Sequence, residues 1–231
     1  MGETDARLLV DKSAIRNAAT VIVLRDRATR PRVLMGQRGQ DAAFMPSKFV
    51  FPGGAVDAVD AVIPLAFDPT PGCAAALARE SDLGPAPLVA AATRELWEET
   101  GLLIGAPDAR AGRLDKPQGW RGYLGTGHLP DGTDLTFLFR AITPPGRPRR
   151  FDARFFLVEA EALRNDPDDF SRAEAELGHL HWVPLDEVRG YDMPFITEVV
   201  LAELSARLEG RQAPGVPFFD NRTEVSRFSR L

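Results

Sequence analysis

The sequence predicts an α/β fold, on three observations. Val- and Ile-rich runs at Ala18 to Leu24 and at Arg32 to Gln37 have the residue preferences of strands. The stretch from about Leu88 to Thr100 reads as a helix with Gly101 as its left-handed stop. Strand-like and helix-like segments alternate along all 231 residues, without an internal repeat or a low-complexity tract.

Taken in order, the turn residues Asp26 to Pro31 join the first two strands as a hairpin. Phe49-Val50-Phe51 supplies a short third strand that breaks into a tight turn at Gly53-Gly54. A Pro-rich loop from Pro64 to Gly72, an Ala-rich helix around Cys73 to Ser81 and a loop at Gly84 to Pro87 then lead into the helix that stops at Gly101. Trp120 to Tyr123 is turn-rich, and Leu135 to Ile142 and Phe151 to Val158 are apolar strands. Leu180 to Glu187 covers a further strand with its exit, and a helix starting near Met193 runs to about Leu208. In the tail, Pro217-Phe218-Phe219 is apolar enough to dock on the body or on a second subunit, which allows for a homodimer.

Composition, at 44% hydrophobic and 26% charged, is that of a globular chain long enough for one large domain. A net charge of -5 argues against a nucleic-acid or anionic-membrane binder, because those rely on basic surfaces. Small phosphorylated substrates stay open, since divalent ions invert the local field. The single cysteine, Cys73, excludes an internal disulfide and a cysteine-based zinc site. Met1 to Arg7 does not read as a secretion signal, and no run approaches the ~18 apolar residues of a membrane span, so a cytoplasmic location is expected.

Chemistry concentrates in Arg94-Glu95-Leu96-Trp97-Glu98-Glu99-Thr100-Gly101-Leu102, where Glu95, Glu98 and Glu99 share a helical stripe while Leu96 turns inward. Two unit charges ~4 Å apart repel by roughly 4 kcal/mol at an effective dielectric of 20, so the stripe needs cations, Arg94 or open solvent. Hard oxygen ligands at this density suit Mg2+ or Mn2+, which hold phosphate oxygens in turn. Taken alone, the segment also fits a solvated helix end. Upstream, however, Phe49-Val50-Phe51-Pro52-Gly53-Gly54-Ala55-Val56-Asp57 brings a side-chain-free backbone to acidic residues, and the Gly54 carbonyl can itself be a ligand.

In this order the two motifs resemble the signature of the Nudix hydrolases: Gly, five residues, Glu, seven residues, then Arg-Glu-aliphatic-x-Glu-Glu-x-Gly-aliphatic. Gly54 leads to Asp60 at the spacing of the first half, with Asp in place of Glu, and Arg94 to Leu102 matches the second half. Residues 61 to 93 fill the gap, so about 26 residues are inserted inside the signature. Such an insertion, with Phe44-Met45-Pro46 ahead of Phe51-Pro52-Gly53-Gly54, is similar to the branch of coenzyme A diphosphatases.

The resemblance implies a mixed β-sheet sandwiched between helices, in one domain over residues 1–231 with a helical insertion at about 61–86 that stands outside the chemistry. It implies that Glu95, Glu98, Glu99 and the Gly54 carbonyl hold Mg2+ or Mn2+, with Asp60 joining from the loop and Arg94 orienting the acids. Glu98 is the expected general base, with Glu174 and Glu176 behind it. The expected partner is a small-molecule nucleoside diphosphate linked to another moiety, coenzyme A or acyl-coenzyme A ahead of ADP-ribose or a nucleotide sugar. A non-catalytic ligand sensor is the alternative from another class. Arg147, Arg149 and Arg150, and Arg154 within an apolar run, are candidate clamps for substrate phosphates, against the plainer reading of a solvated basic turn.

Overall fold

In the computed structural model, which describes residues 14–40, 45–174 and 176–231, the first Val- and Ile-rich run becomes β1 (Ile15–Arg25). Its side chains alternate between two faces, Ala19, Val21 and Val23 entering one core and Ile22 and Leu24 another. β2 (Arg32–Arg38) folds back antiparallel through the expected turn, with Leu24 opposite Val33. The remaining strands are β3 (Phe49–Val50), β4 (Gly53–Ala55), β5 (Ala106–Pro107), β6 (His128–Leu129), β7 (Thr136–Ile142), β8 (Arg150–Glu159), β9 (Leu177–Pro184), β10 (Pro217–Asp220) and β11 (Arg227–Arg230). β5 and β6 form a separate ribbon. Among the described residues the other nine make one mixed sheet, ordered β11, β10, β7, β8, β1, β2, β3, with β4 added to β1 and β9 to β2.

The helices are α1 (Pro71–Ala78), α2 (Pro85–Thr100), α3 (Arg121–Gly125) and α4 (Phe195–Leu208). Leu77 of α1 and Leu88 and Leu96 of α2 pack with Val21, Phe137 and Phe156 on one face of the sheet. Val200, Leu201 and Leu204 of α4 pack with Ile22, Phe139 and Phe155 on the other, so the sheet lies between helices as the resemblance implies. Each such side chain removed from water contributes about 1.5–3 kcal/mol. A third cluster, Ile63, Leu103, Trp120 and Tyr123, fills the space around the start of the insertion and the segment after α2.

Two expectations change in three dimensions. Gly53-Gly54 is a strand rather than a tight turn, because β4 pairs with the first half of β1, Ala18 opposite Ala55 and Thr20 opposite Gly53. Arg121, Gly122 and Tyr123, read as turn-rich, lie in the short helix α3, with Trp120 as its N-cap. The insertion is fastened to the sheet: Arg140 donates to the carbonyls of Arg79 and Glu80 at 3.0 and 2.9 Å, and Arg154 donates to Ser81 Oγ at 2.9 Å. Pro217-Phe218-Phe219 docks on the body, as β10 beside β7. Phe44 and the Met1 to Arg7 segment lie outside the described residues. No helix among the described residues is long and apolar enough to cross a membrane.

Candidate active site

Helix α2 begins on Pro85, whose missing N–H is no loss at that position, and ends where Gly101 takes φ +74° and donates its N–H to the Trp97 carbonyl at 2.8 Å. Its apolar stripe is buried against the sheet, which fixes the rotation of the helix and aims the acids at β4. Gly53 is at φ +156°, and a Cβ there would stand 2.6 Å from the Ala19 carbonyl oxygen. A Cβ on Gly54 would overlap the Glu95 carboxylate. The two glycines therefore let β4 and α2 meet, and the Gly53 N–H donates to Glu99 Oε2 at 2.7 Å.

Arg94 is the hub of the site. Its Nη1 donates to Glu95 Oε1 at 2.9 Å and to Glu98 Oε2 at 2.8 Å, and its Nη2 to the Ala55 carbonyl at 2.9 Å. The other edge of the guanidinium is held by Asp60, through Nε at 2.9 Å and Nη2 at 3.0 Å. Asp60 is 1% exposed and also accepts from Trp120 Nε1 at 2.9 Å and from the Asp57 N–H at 2.8 Å. Expected in the metal set, Asp60 instead has both oxygens engaged by protein donors and serves Arg94, a bidentate pairing for which a carboxylate is well shaped.

Burial pushes the Glu95 carboxyl up to about 7, with Arg94 pulling it down and Glu98 and Glu176 pushing it further up. Burial, then the Glu95 charge, raises Glu99 well above the ordinary carboxylate range. Burial also raises Glu98, against its bond from Arg94 and with help from Glu174. For Arg94, burial opposes the charge, but Asp60 and Glu95 outweigh it and hold the guanidinium above its usual value.

Among the described residues, no three His, Cys, Asp or Glu side chains are spaced to hold an ion as they stand, since the acids turn toward Arg94 and Gly53. The donor set still fits a hard divalent cation. Glu99 Oε1 is buried without a hydrogen-bond partner, and three crowded carboxylates with raised proton affinity are relieved by added positive charge.

Glu176 lines the cleft beside Glu95 and accepts from Arg38 Nη2 at 2.7 Å. Glu174 is exposed and meets the site through its N–H, which donates to the Glu98 carbonyl at 2.8 Å. The cleft, about 930 Å³, opens on the α4 face of the sheet and runs from Gly54, Glu95 and Glu176 to Arg147 and Arg149. Arg150 and Arg154 do not reach it. Along β8, Phe151, Ala153 and Phe155 line the cleft, so the alternating Arg150, Asp152 and Arg154 face the opposite side. There Arg150 donates to the Thr143 and Asn221 carbonyls, at 3.0 and 2.8 Å. Arg154, pulled down to about 10 by burial, pairs with Asp152 at 3.1 Å.

Sequence reasoning missed Trp120 and Arg38. Trp120 signals itself only as a bulky residue in a turn-rich stretch, and Arg38 only as a charge closing an apolar strand.

The NUDIX domain family matches residues 15–204. A crystal structure described as a NUDIX hydrolase from Alicyclobacillus acidocaldarius aligns with a TM-score of 0.59 at 30% identity, covering 82% of this chain and 90% of that one. Nudix hydrolase 7 of Caenorhabditis elegans is 30% identical over 180 residues, 74% of this chain and 52% of that protein, so the chain spans about half the length of this curated relative. The match encloses both halves of the site, Gly54 on β4 and Arg94 to Glu99 on α2, and the chain belongs to the NUDIX domain family.

Proposed function

We propose that this chain, as one Nudix domain with an insertion, is a metal-dependent hydrolase. Its reaction is cleavage of the diphosphate in a nucleoside diphosphate linked to another moiety, with coenzyme A or an acyl-coenzyme A as the substrate. The observation that carries the hydrolase reading is the trio Glu95, Glu98 and Glu99 on α2: Arg94 holds Glu95 and Glu98, the Gly53 N–H holds Glu99, and Glu95 lines a large cleft. The coenzyme A reading is supported by the inserted signature, by the cleft volume of about 930 Å³, and by the exposed Arg147 and Arg149 along its wall.

Glu95, Glu98 and Glu99, with the Gly54 carbonyl, would hold Mg2+ or Mn2+. When bound, such an ion supplies Lewis-acid polarisation of phosphoryl oxygens and a more acidic water. Arg94 keeps Glu95 and Glu98 together, and Asp60 and Trp120 keep Arg94 in place, so both act as positioning residues. Glu98, at 22% side-chain exposure the most open of the three acids, takes the proton of the attacking water, and its raised proton affinity suits that role. Glu176, tethered by Arg38 beside Glu95, and Glu174 stand behind it.

The test is a substrate panel with Mg2+ or Mn2+: coenzyme A, dephospho-coenzyme A, dinucleotides, ADP-ribose and nucleotide sugars. Cleavage of coenzyme A to phosphopantetheine and adenosine 3',5'-bisphosphate, with a kcat/KM preference over dephospho-coenzyme A that Arg147→Ala or Arg149→Ala removes, supports the reading. Faster hydrolysis of ADP-ribose moves it to nucleotide sugars, and absence of turnover on the whole panel to a ligand sensor.

A further inference from the structure

Residues 205–231 lie beyond the family match, yet Phe219, Asn221 and Ser226 line the same cleft as Gly54 and Glu95. They reach it because β10 runs parallel to β7, with Phe219 opposite Ala141. Strand alternation sends Phe218 into the core under α1 and α2 and turns Phe219 to the cleft face.

The turn joining β10 to β11 forms a wall held by hydrogen bonds and ion pairs. Arg150 Nη2 donates to the Asn221 and Arg222 carbonyls at 2.8 and 3.2 Å. Asn221, 3% exposed, donates from Nδ2 to the Ile142 carbonyl at 2.9 Å. Arg222 pairs with Asp220 at 2.6 Å and with Glu80 of the insertion at 2.8 Å.

Hydrogen-bond accounting gives this wall a definite polarity. The Ser226 hydroxyl donates to Asn221 Oδ1 at 2.6 Å, which commits its one proton and leaves Ser226 Oγ to act as an acceptor. The hairpin therefore gives the cleft lining the half-buried Phe219 ring, packed on one side by Phe228 with ring centroids 6.4 Å apart, and an acceptor at Ser226, while Arg147 and Arg149 line the same cleft. A flat heteroaromatic ring carrying an exocyclic amine complements both features, by stacking and by donating.

We propose that the C-terminal β10–β11 hairpin is the nucleobase subsite of this cleft, and that it selects an amine-bearing base such as adenine over one with a carbonyl at that position. The proposal deepens the proposed function and rests on it for the diphosphate that lies toward Gly54 and Glu95. It makes residues 217–230 a determinant of specificity, and it gives Arg150 a positioning role through the Asn221 carbonyl.

The test is equilibrium binding of AMP, IMP and 4'-phosphopantetheine to the full chain with Mg2+. Wild type should bind AMP about tenfold more tightly than IMP, the worth of one hydrogen bond with its mismatch. Ser226→Ala, a change at an exposed side chain, should bring the two nucleotides within about twofold. Phe219→Leu should weaken both about tenfold through lost stacking and leave phosphopantetheine unchanged.

Equal affinity for AMP and IMP in the wild type, no detectable AMP binding, or AMP affinity untouched by Ser226→Ala would each overturn the subsite, even if Phe219→Leu failed to fold. Stronger effects of the variants on phosphopantetheine than on AMP would place the other half of the substrate at the hairpin and also overturn it. The coenzyme A reading fails separately. AMP selectivity that depends on Ser226, in a protein that does not cleave coenzyme A, leaves the subsite standing and removes that substrate.

Discussion

Replacing Glu95 with Gln tests the electrostatics of the site through stability instead of turnover. The side chain is 12% exposed, and its carboxyl moves from an ordinary value of 4.5 to about 7 in the fold, with burial as the main cause. That difference is worth about 3 kcal/mol of folding free energy. Its sign follows from the folded state holding the proton more tightly than the unfolded chain. The stabilisation is therefore complete below pH 4.5 and is lost as pH rises through about 7. Gln keeps the shape and the acceptor for Arg94 but has no proton to lose. In EDTA, the variant and the wild type should be equally stable near pH 4.5, and the variant more stable by about 3 kcal/mol at pH 8, or about 6–12 °C in Tm for a chain of this size. Thermal melts across that pH range provide the measurement. Adding Mn2+ at pH 8 should raise the wild-type Tm by more than that of the variant, because the ion offsets the charge that Gln lacks. Parallel pH profiles for the two metal-free proteins would refute the reasoning, and equal gains from Mn2+ would remove Glu95 from the ligand set.

Glu98→Gln should lower turnover by about 10²–10⁴-fold while stability stays within about 1 kcal/mol, measured by kcat and urea melts; near-native kcat would sink its assignment as base. Gly54→Ala introduces a methyl where the flexible end of Glu95 now lies, so Tm should change little while Mn2+ affinity falls, as read by calorimetry. Asp60→Asn should destabilise the metal-free protein by about 3–5 kcal/mol, because it strips the buried Arg94 of its bidentate partner. Unchanged metal-free stability with weakened Mn2+ binding would instead return Asp60 to the ligand set. Asp152→Asn should cost a similar ~3–5 kcal/mol, since Arg140 and Arg154 are both buried against that carboxylate, and should leave KM unchanged in a variant that still folds.

Short-range periodicity was legible in the chain alone. The helix read from about Leu88 to Thr100 with its stop at Gly101, the stripe of Glu95, Glu98 and Glu99 and the β1–β2 hairpin follow from spacing and capping within a few residues, whereas the helix begins at Pro85, inside the stretch read as a loop. The Gly54 and Arg94 motifs resemble one family strongly enough to imply the layered fold as well.

Tertiary structure alone decided how distant residues pair and which side of a strand looks into the cleft. The Arg94–Asp60 and Trp120–Asp60 contacts join positions 34 and 60 apart in the chain, across an insertion whose path the sequence left open. Arg147, Arg149, Arg150 and Arg154 form one basic run on paper. In space two line the cleft and two brace the opposite face, because a strand with a period of two sorts its side chains only once the sheet beneath it and the helices covering it are in place.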